Sequence, residues 1–148
     1  MKINSLKLLV LLALGCSLNS FAHESGQKEA GPNGGRLLTV LTPHAEFFVT
    51  PERKVQVTFL NDADQPVAPA TQVVTVTAGD RAAPTTLKFV RQGNALISDG
   101  VLPAGNNFPT VVQIKVTPDA KPVIAKFNLN LSLCPDCKLS EYACTCAH

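Results

Sequence analysis

The sequence lacks the patterns that mark most enzymes. It has no Gly-x-Ser-x-Gly elbow, no phosphate-binding glycine loop, no His-Glu-x-x-His and no pair of carboxylates in a recognisable catalytic context. Each such pattern exists because a reaction needs a nucleophile beside a base, a cradle of amides or an activated water. Their absence leads us to expect a non-catalytic protein. Charge of one sign is also scarce. There are 13 basic and 11 acidic residues, and two of the basic ones, Lys2 and Lys7, fall in an N-terminal segment expected to be removed, which leaves the remainder balanced. The other Lys and Arg residues are scattered singly, so no basic face is expected to meet phosphates, and neither a nucleic acid nor an anionic membrane surface is expected as a partner. Beyond the N-terminal run there is no long apolar stretch, which excludes a membrane-spanning helix there. No segment of ten or more residues has helical spacing, which excludes crossover helices and the parallel sheets they serve.

What the chain does have begins with a leader. Lys2 and Lys7 precede an apolar run, residues 8–14, that is too short to cross a bilayer, so residues 1–22 read as a secretory signal peptide. Ser20-Phe21-Ala22 offers small residues at the third and first positions before a cut, making His23 the new amino terminus. The alternative is lipidation at Cys16, after Ala13-Leu14-Gly15, which would tether the protein to a membrane by a lipid anchor. Both readings imply a periplasmic or secreted protein.

Residues 23–35 are polar and rich in glycine, and read as a flexible leader ending in a turn. Residues 36–133 then alternate short apolar runs with Pro, Gly, Asn and Asp. The runs at 36–41, 45–50, 54–60, 72–78, 85–91, 95–98, 110–117 and 124–133 predict eight strands. In the last of them Phe127, Leu129, Leu131 and Leu133 alternate with Lys126, Asn128, Asn130 and Ser132, the period of a strand with one wet face. Strands at this spacing, without helices, predict one all-β domain, an antiparallel immunoglobulin-like β-sandwich, with a small closed barrel as the alternative.

Residues 134–148 form an irregular cysteine-rich tail that carries the densest chemistry in the chain: Cys134-Pro135-Asp136-Cys137, six further residues, then Cys144-Thr145-Cys146-Ala147-His148. Thiolates and imidazole suit Zn(II) or Cu(I), and Cys-x-x-Cys lets two sulfurs reach one metal from a tight turn. Cys-x-Cys-x-His adds donors on one side of an extended backbone. Cys134, Cys137, Cys144, Cys146 and His148 are therefore the candidate ligands. The competing reading is a structural or interaction module whose tail is stapled by two disulfides, since an exported protein meets an oxidising compartment. A thioredoxin-like role for the Cys-x-x-Cys pair would need a helix that this chain does not offer. Two weaker metal candidates lie elsewhere. One is the amino group and imidazole of His23 with His44 or Glu24 around Cu(II), an arrangement used by small periplasmic copper carriers; the other is His44 with Glu46, two residues apart on one strand face.

The stretches Gly31-Pro32-Asn33-Gly34-Gly35-Arg36-Leu37-Leu38, Ala45-Glu46-Phe47-Phe48-Val49 and Val57-Thr58-Phe59-Leu60-Asn61-Asp62-Ala63 resemble a β-domain of periplasmic adaptor subunits of heavy-metal efflux pumps. The likeness covers residues 31 to about 67 and implies a metal-related accessory role with an envelope efflux component as partner. The adaptors usually carry His where this chain has Asn33, so the turn itself is not expected to bind metal.

Overall fold

The computed structural model describes residues 29–146. The expected signal peptide with Cys16, the candidate amino terminus His23 and the candidate ligand His148 lie outside these residues. No described helix is long and apolar enough to cross a membrane.

All eight expected strands form. They are β1 (Arg36–Leu38), β2 (Ala45–Val49), β3 (Val55–Leu60), β5 (Val73–Ala78), β6 (Thr85–Gln92), β7 (Ala95–Ser98), β8 (Asn107–Lys115) and β9 (Val123–Asn130). A ninth, β4 (Pro66–Val67), was not expected, because it is two residues long and opens on a proline. A side-chain-locked turn forms it. The Asn61 carboxamide oxygen accepts from the Ala63 and Gln65 amides at 3.0 Å each, which returns the chain so that Pro66 and Val67 pair with Leu60 and Phe59.

The strands follow one antiparallel path, β1-β2-β3-β7-β6-β5-β8-β9, with β4 added to β3. β6 belongs to both layers: residues 85–88 pair with β5 and residues 89–92 with β7. The two layers of the sandwich are thus one sheet folded on itself and nearly closed. Alternation decides what is inside. Val74, Val76 and Ala78 of β5, with Phe108, Val112 and Ile114 of β8, pack in one core with Phe47, Val55, Val57 and Phe59 of β2 and β3. Each large apolar side chain buried in this way contributes about 1.5–3 kcal/mol.

The two ends of the strand path come together at a seam. The Phe127 ring of β9 meets Phe47 of β2 edge-on at 5.3 Å, and the Arg36 guanidinium of β1 lies 4.8 Å from the Phe127 ring centre. β9 stops earlier than the alternation suggested. The Leu131 amide turns to the Asn106 carbonyl at 2.7 Å, and Leu133, expected on the buried face, is 71 % exposed.

Residues 30–35, where the leader was expected to end in a turn, form one built around an acid. Ala30 bridges to Arg36, and the Gly31 and Gly34 amides donate to the Gly35 and Gly31 carbonyls at 2.9 Å each. Inside it lies Glu46 of β2, with none of its surface exposed. One carboxylate oxygen accepts from the Asn33 and Gly35 amides at 2.8 Å each, and the other from the Asn33 side chain at 2.6 Å. A buried carboxylate needs such donors. The glycines are needed for space: a side chain at Gly31 would overlap the Glu46 carboxylate, and one at Gly35 the Phe47 backbone.

Glu46→Gln should therefore lower stability by about 1–3 kcal/mol, because the charge-assisted bonds are lost and an amide NH2 is turned toward the Asn33 side-chain donor. Urea unfolding checks this, and an unchanged midpoint would remove Glu46 as an anchor of the turn.

Candidate metal centre

After β9 the chain doubles back. Leu133 bridges to Ser140, the Cys134 amide donates to the Leu139 carbonyl at 2.8 Å, and the Lys138 amide donates to the Cys134 carbonyl at 3.1 Å. Pro135 restricts the entry to this loop, and Lys138, at φ 62°, makes the left-handed step that reverses it. The Lys138 ammonium also donates to the Pro135 carbonyl across the loop. A 3-10 turn, Glu141–Ala143, follows, its first amide donating to the Ser132 carbonyl at 2.8 Å. Cys144 then leaves in an extended conformation, φ −60° and ψ 132°, and Cys146 follows on the same side. A six-residue spacer is long enough because the chain between the two cysteine pairs is folded into a hairpin and a turn.

The result is that all four sulfurs lie within 4.8 Å of one another. Cys144 and Cys134 are 3.3 Å apart, Cys137 and Cys144 3.7 Å, and Cys134 and Cys146 3.9 Å. No disulfide joins them; an S–S bond would need about 2.05 Å. Four sulfurs each about 2.3 Å from a central cation, at the corners of a tetrahedron, would be about 3.8 Å apart. The three contacts, 3.3–3.9 Å, lie near that figure and all pairs within 4.8 Å, so these four cysteines could hold a metal ion. Cys134 and Cys144 are buried, whereas Cys137 and Cys146 are half-exposed.

The thiols are not equivalent. Backbone amides of Leu139 and Thr145 point at the Cys137 sulfur and pull its pKa down to about 6. Cys146 is pushed up to about 12, first by the adjoining Cys144 sulfur and then by burial. At Cys144 the Cys146 amide favours the thiolate, but burial and the Cys134 and Cys137 sulfurs outweigh it and raise the pKa. The cluster accepts one negative charge readily and resists further ones. A cation between the sulfurs supplies the missing counter-charge.

The irregular cysteine-rich segment expected after the last strand is present, and part of it is packed into the core. Tyr142, between the two cysteine pairs, is 4 % exposed and packs edge-on to Phe47 at 5.9 Å. Its hydroxyl accepts from the Val49 amide of β2 at 3.0 Å, and its carbonyl accepts from the Arg36 guanidinium at 3.2 Å. Burial, with a contribution from Glu46, lifts the phenol to about 12. Leu139 rests on Gly34, where an added Cβ would lie 3.2 Å from a Leu139 methyl. The sequence reading passed over Leu139 and Tyr142; their apolar character inside a short spacer was the available signal.

His44 and Glu46 do not form a ligand pair. His44 lies 3.9 Å from Asp64, and the Glu46 carboxylate is taken up by the turn. The Asn33 side chain serves the same carboxylate. No family model, curated protein or solved structure matches the chain, and an efflux-pump partner gains no support from these comparisons.

In the reduced, metal-free protein at neutral pH, alkylation should modify Cys137 ahead of Cys146, because of the two half-exposed thiols only Cys137 has a strongly lowered pKa. Peptide mass mapping over time checks the order, and equal rates at the two sites would contradict it.

Proposed function

We propose that the chain is an exported, non-catalytic metal-binding β-protein that holds one Zn(II) ion between Cys134, Cys137, Cys144 and Cys146. The observation that carries this reading is the mutual approach of four unbridged sulfurs at separations matching a tetrahedral thiolate set. Tetrahedral all-sulfur coordination is the habit of zinc and of iron–sulfur sites, and thiolate also selects Cu(I), which is the runner-up cation. Four protein ligands fill a zinc coordination shell and leave no open position for substrate, in keeping with a non-catalytic role. His148 is a further donor by sequence. Export rests on the signal-like residues 1–22, with a lipid anchor at Cys16 as the variant form. The protein would then handle zinc in the periplasm, the accessory role that the adaptor-like stretch of residues 31–67 also implies.

Purified under reducing conditions and then freed of reductant, the protein should carry one zinc per chain by elemental analysis, with four cysteines protected from thiol reagents until a chelator is added. Two intact disulfides and no metal would end the reading in favour of a stapled module. Binding must strip protons from Cys144 and Cys146, whose pKa values are raised, so zinc affinity falls as pH falls. A competing chelator should extract the ion more readily at about pH 6 than at about pH 8.

A further inference from the structure

The contacts among the four sulfurs also bear on how such a site is emptied, an inference that rests on the zinc reading above. We propose that the centre is a thiol–disulfide switch with fixed partners, in which oxidation joins Cys137 to Cys144 and Cys134 to Cys146 and releases the cation. The close contacts run in a chain, Cys137 to Cys144 at 3.7 Å, Cys144 to Cys134 at 3.3 Å and Cys134 to Cys146 at 3.9 Å. Four cysteines allow three pairings. The first, with Cys144 bonded to Cys146, closes a ring across a single residue and strains the bridge. The second joins Cys134 to Cys144. Both of those sulfurs are buried, where an external oxidant has no access, and the two half-exposed sulfurs at the ends of the chain of contacts are left to pair with each other. In the third, each bridge links one half-exposed sulfur to a buried neighbour less than 4 Å away. That is the arrangement an attack from solvent followed by internal resolution requires.

The co-reactant is a disulfide, either a small molecule or an oxidoreductase. The Cys137 thiolate attacks one of its sulfurs, forming a mixed disulfide and expelling one thiolate. The Cys144 sulfur then attacks the Cys137 sulfur, forming the internal bridge and expelling the second thiolate. Two electrons pass from the cysteine pair to the oxidant, whose two thiolates take protons from water. The same sequence at Cys146 and Cys134 consumes a second oxidant molecule. Zinc has no redox chemistry, so it keeps its charge and leaves as its ligands are consumed. Each bridge ties the loop of the first cysteine pair to the second pair across residues 138–143. Tyr142 therefore stays seated against Phe47 in the oxidised form as in the zinc form.

The test uses the full exported chain loaded with zinc, treated with excess oxidised glutathione, and followed with a colorimetric zinc indicator and by non-reducing peptide mapping. We expect one equivalent of zinc released as two bridges form, the bridges mapping to Cys137–Cys144 and Cys134–Cys146 within one chain, while far-UV circular dichroism stays that of the zinc form. Zinc retained with its thiols intact, a Cys134–Cys144 bridge, or bridges between chains would overturn the switch and leave the zinc reading standing. A chain that takes up no zinc before oxidant is added overturns both. In Cys137→Ser the single bridge Cys134–Cys146 should remain; if that variant folds poorly by its far-UV circular dichroism, the wild-type bridge map decides alone.

Discussion

A sheet that stops short of closing leaves a seam, and the folding of this chain depends on how the seam is filled. β1 covers only three residues of β2, from Ala45 to Phe47, and the Val49 amide lies beyond the end at Phe47. The Tyr142 hydroxyl takes that amide, and the Tyr142 ring packs edge-on to Phe47, as Phe127 of β9 also does. An unpaired amide and an exposed aromatic edge in that place would each be costly. The residue that satisfies both sits between two pairs of cysteines, so the candidate metal centre and the completion of the fold occupy the same short piece of chain.

The other side of the seam is organised by a charge. Glu46 is enclosed by a turn whose two amides and one carboxamide point inward, and Gly34 of that turn receives Leu139. The turn, the buried acid and the cysteine loop therefore form one contiguous body. This gives the glycines a specific reason: the carboxylate and the β2 backbone come too close at positions 31 and 35 for any side chain. It also gives the thiols a rigid setting, since the backbone amides that favour charge on Cys137 belong to Leu139 and Thr145, which flank the anchored turn.

Much of this was open to reading in the amino-acid order. Period-two alternation located the strands, with Phe127 and Leu129 facing in and Lys126 and Asn128 facing out, because side chains of a strand point to opposite faces whatever the tertiary context. Soft donors packed into the last residues pointed to Cys134, Cys137, Cys144 and Cys146 before any distance was known. β4 escaped because a two-residue strand has no period, and its pairing depends on a side-chain-locked turn. The turn ending at residue 35 was expected, but its buried centre, Glu46, escaped because composition registers glycine as freedom, whereas here it registers close approach.

Local order thus determined the strands, their wet and dry faces, and which residues carry metal-binding chemistry, since each follows from the identity and spacing of near neighbours. Three matters were decided only by tertiary structure: that β6 carries the sheet from one layer to the other, that Glu46 is the centre of the glycine turn, and that Tyr142 brings the cysteine segment into the core. These contacts span separations of up to 106 residues, as between Arg36 and Tyr142. Contacts of that length leave no periodic trace in sequence, because they are set by how whole strands stack and not by what stands beside what along the chain.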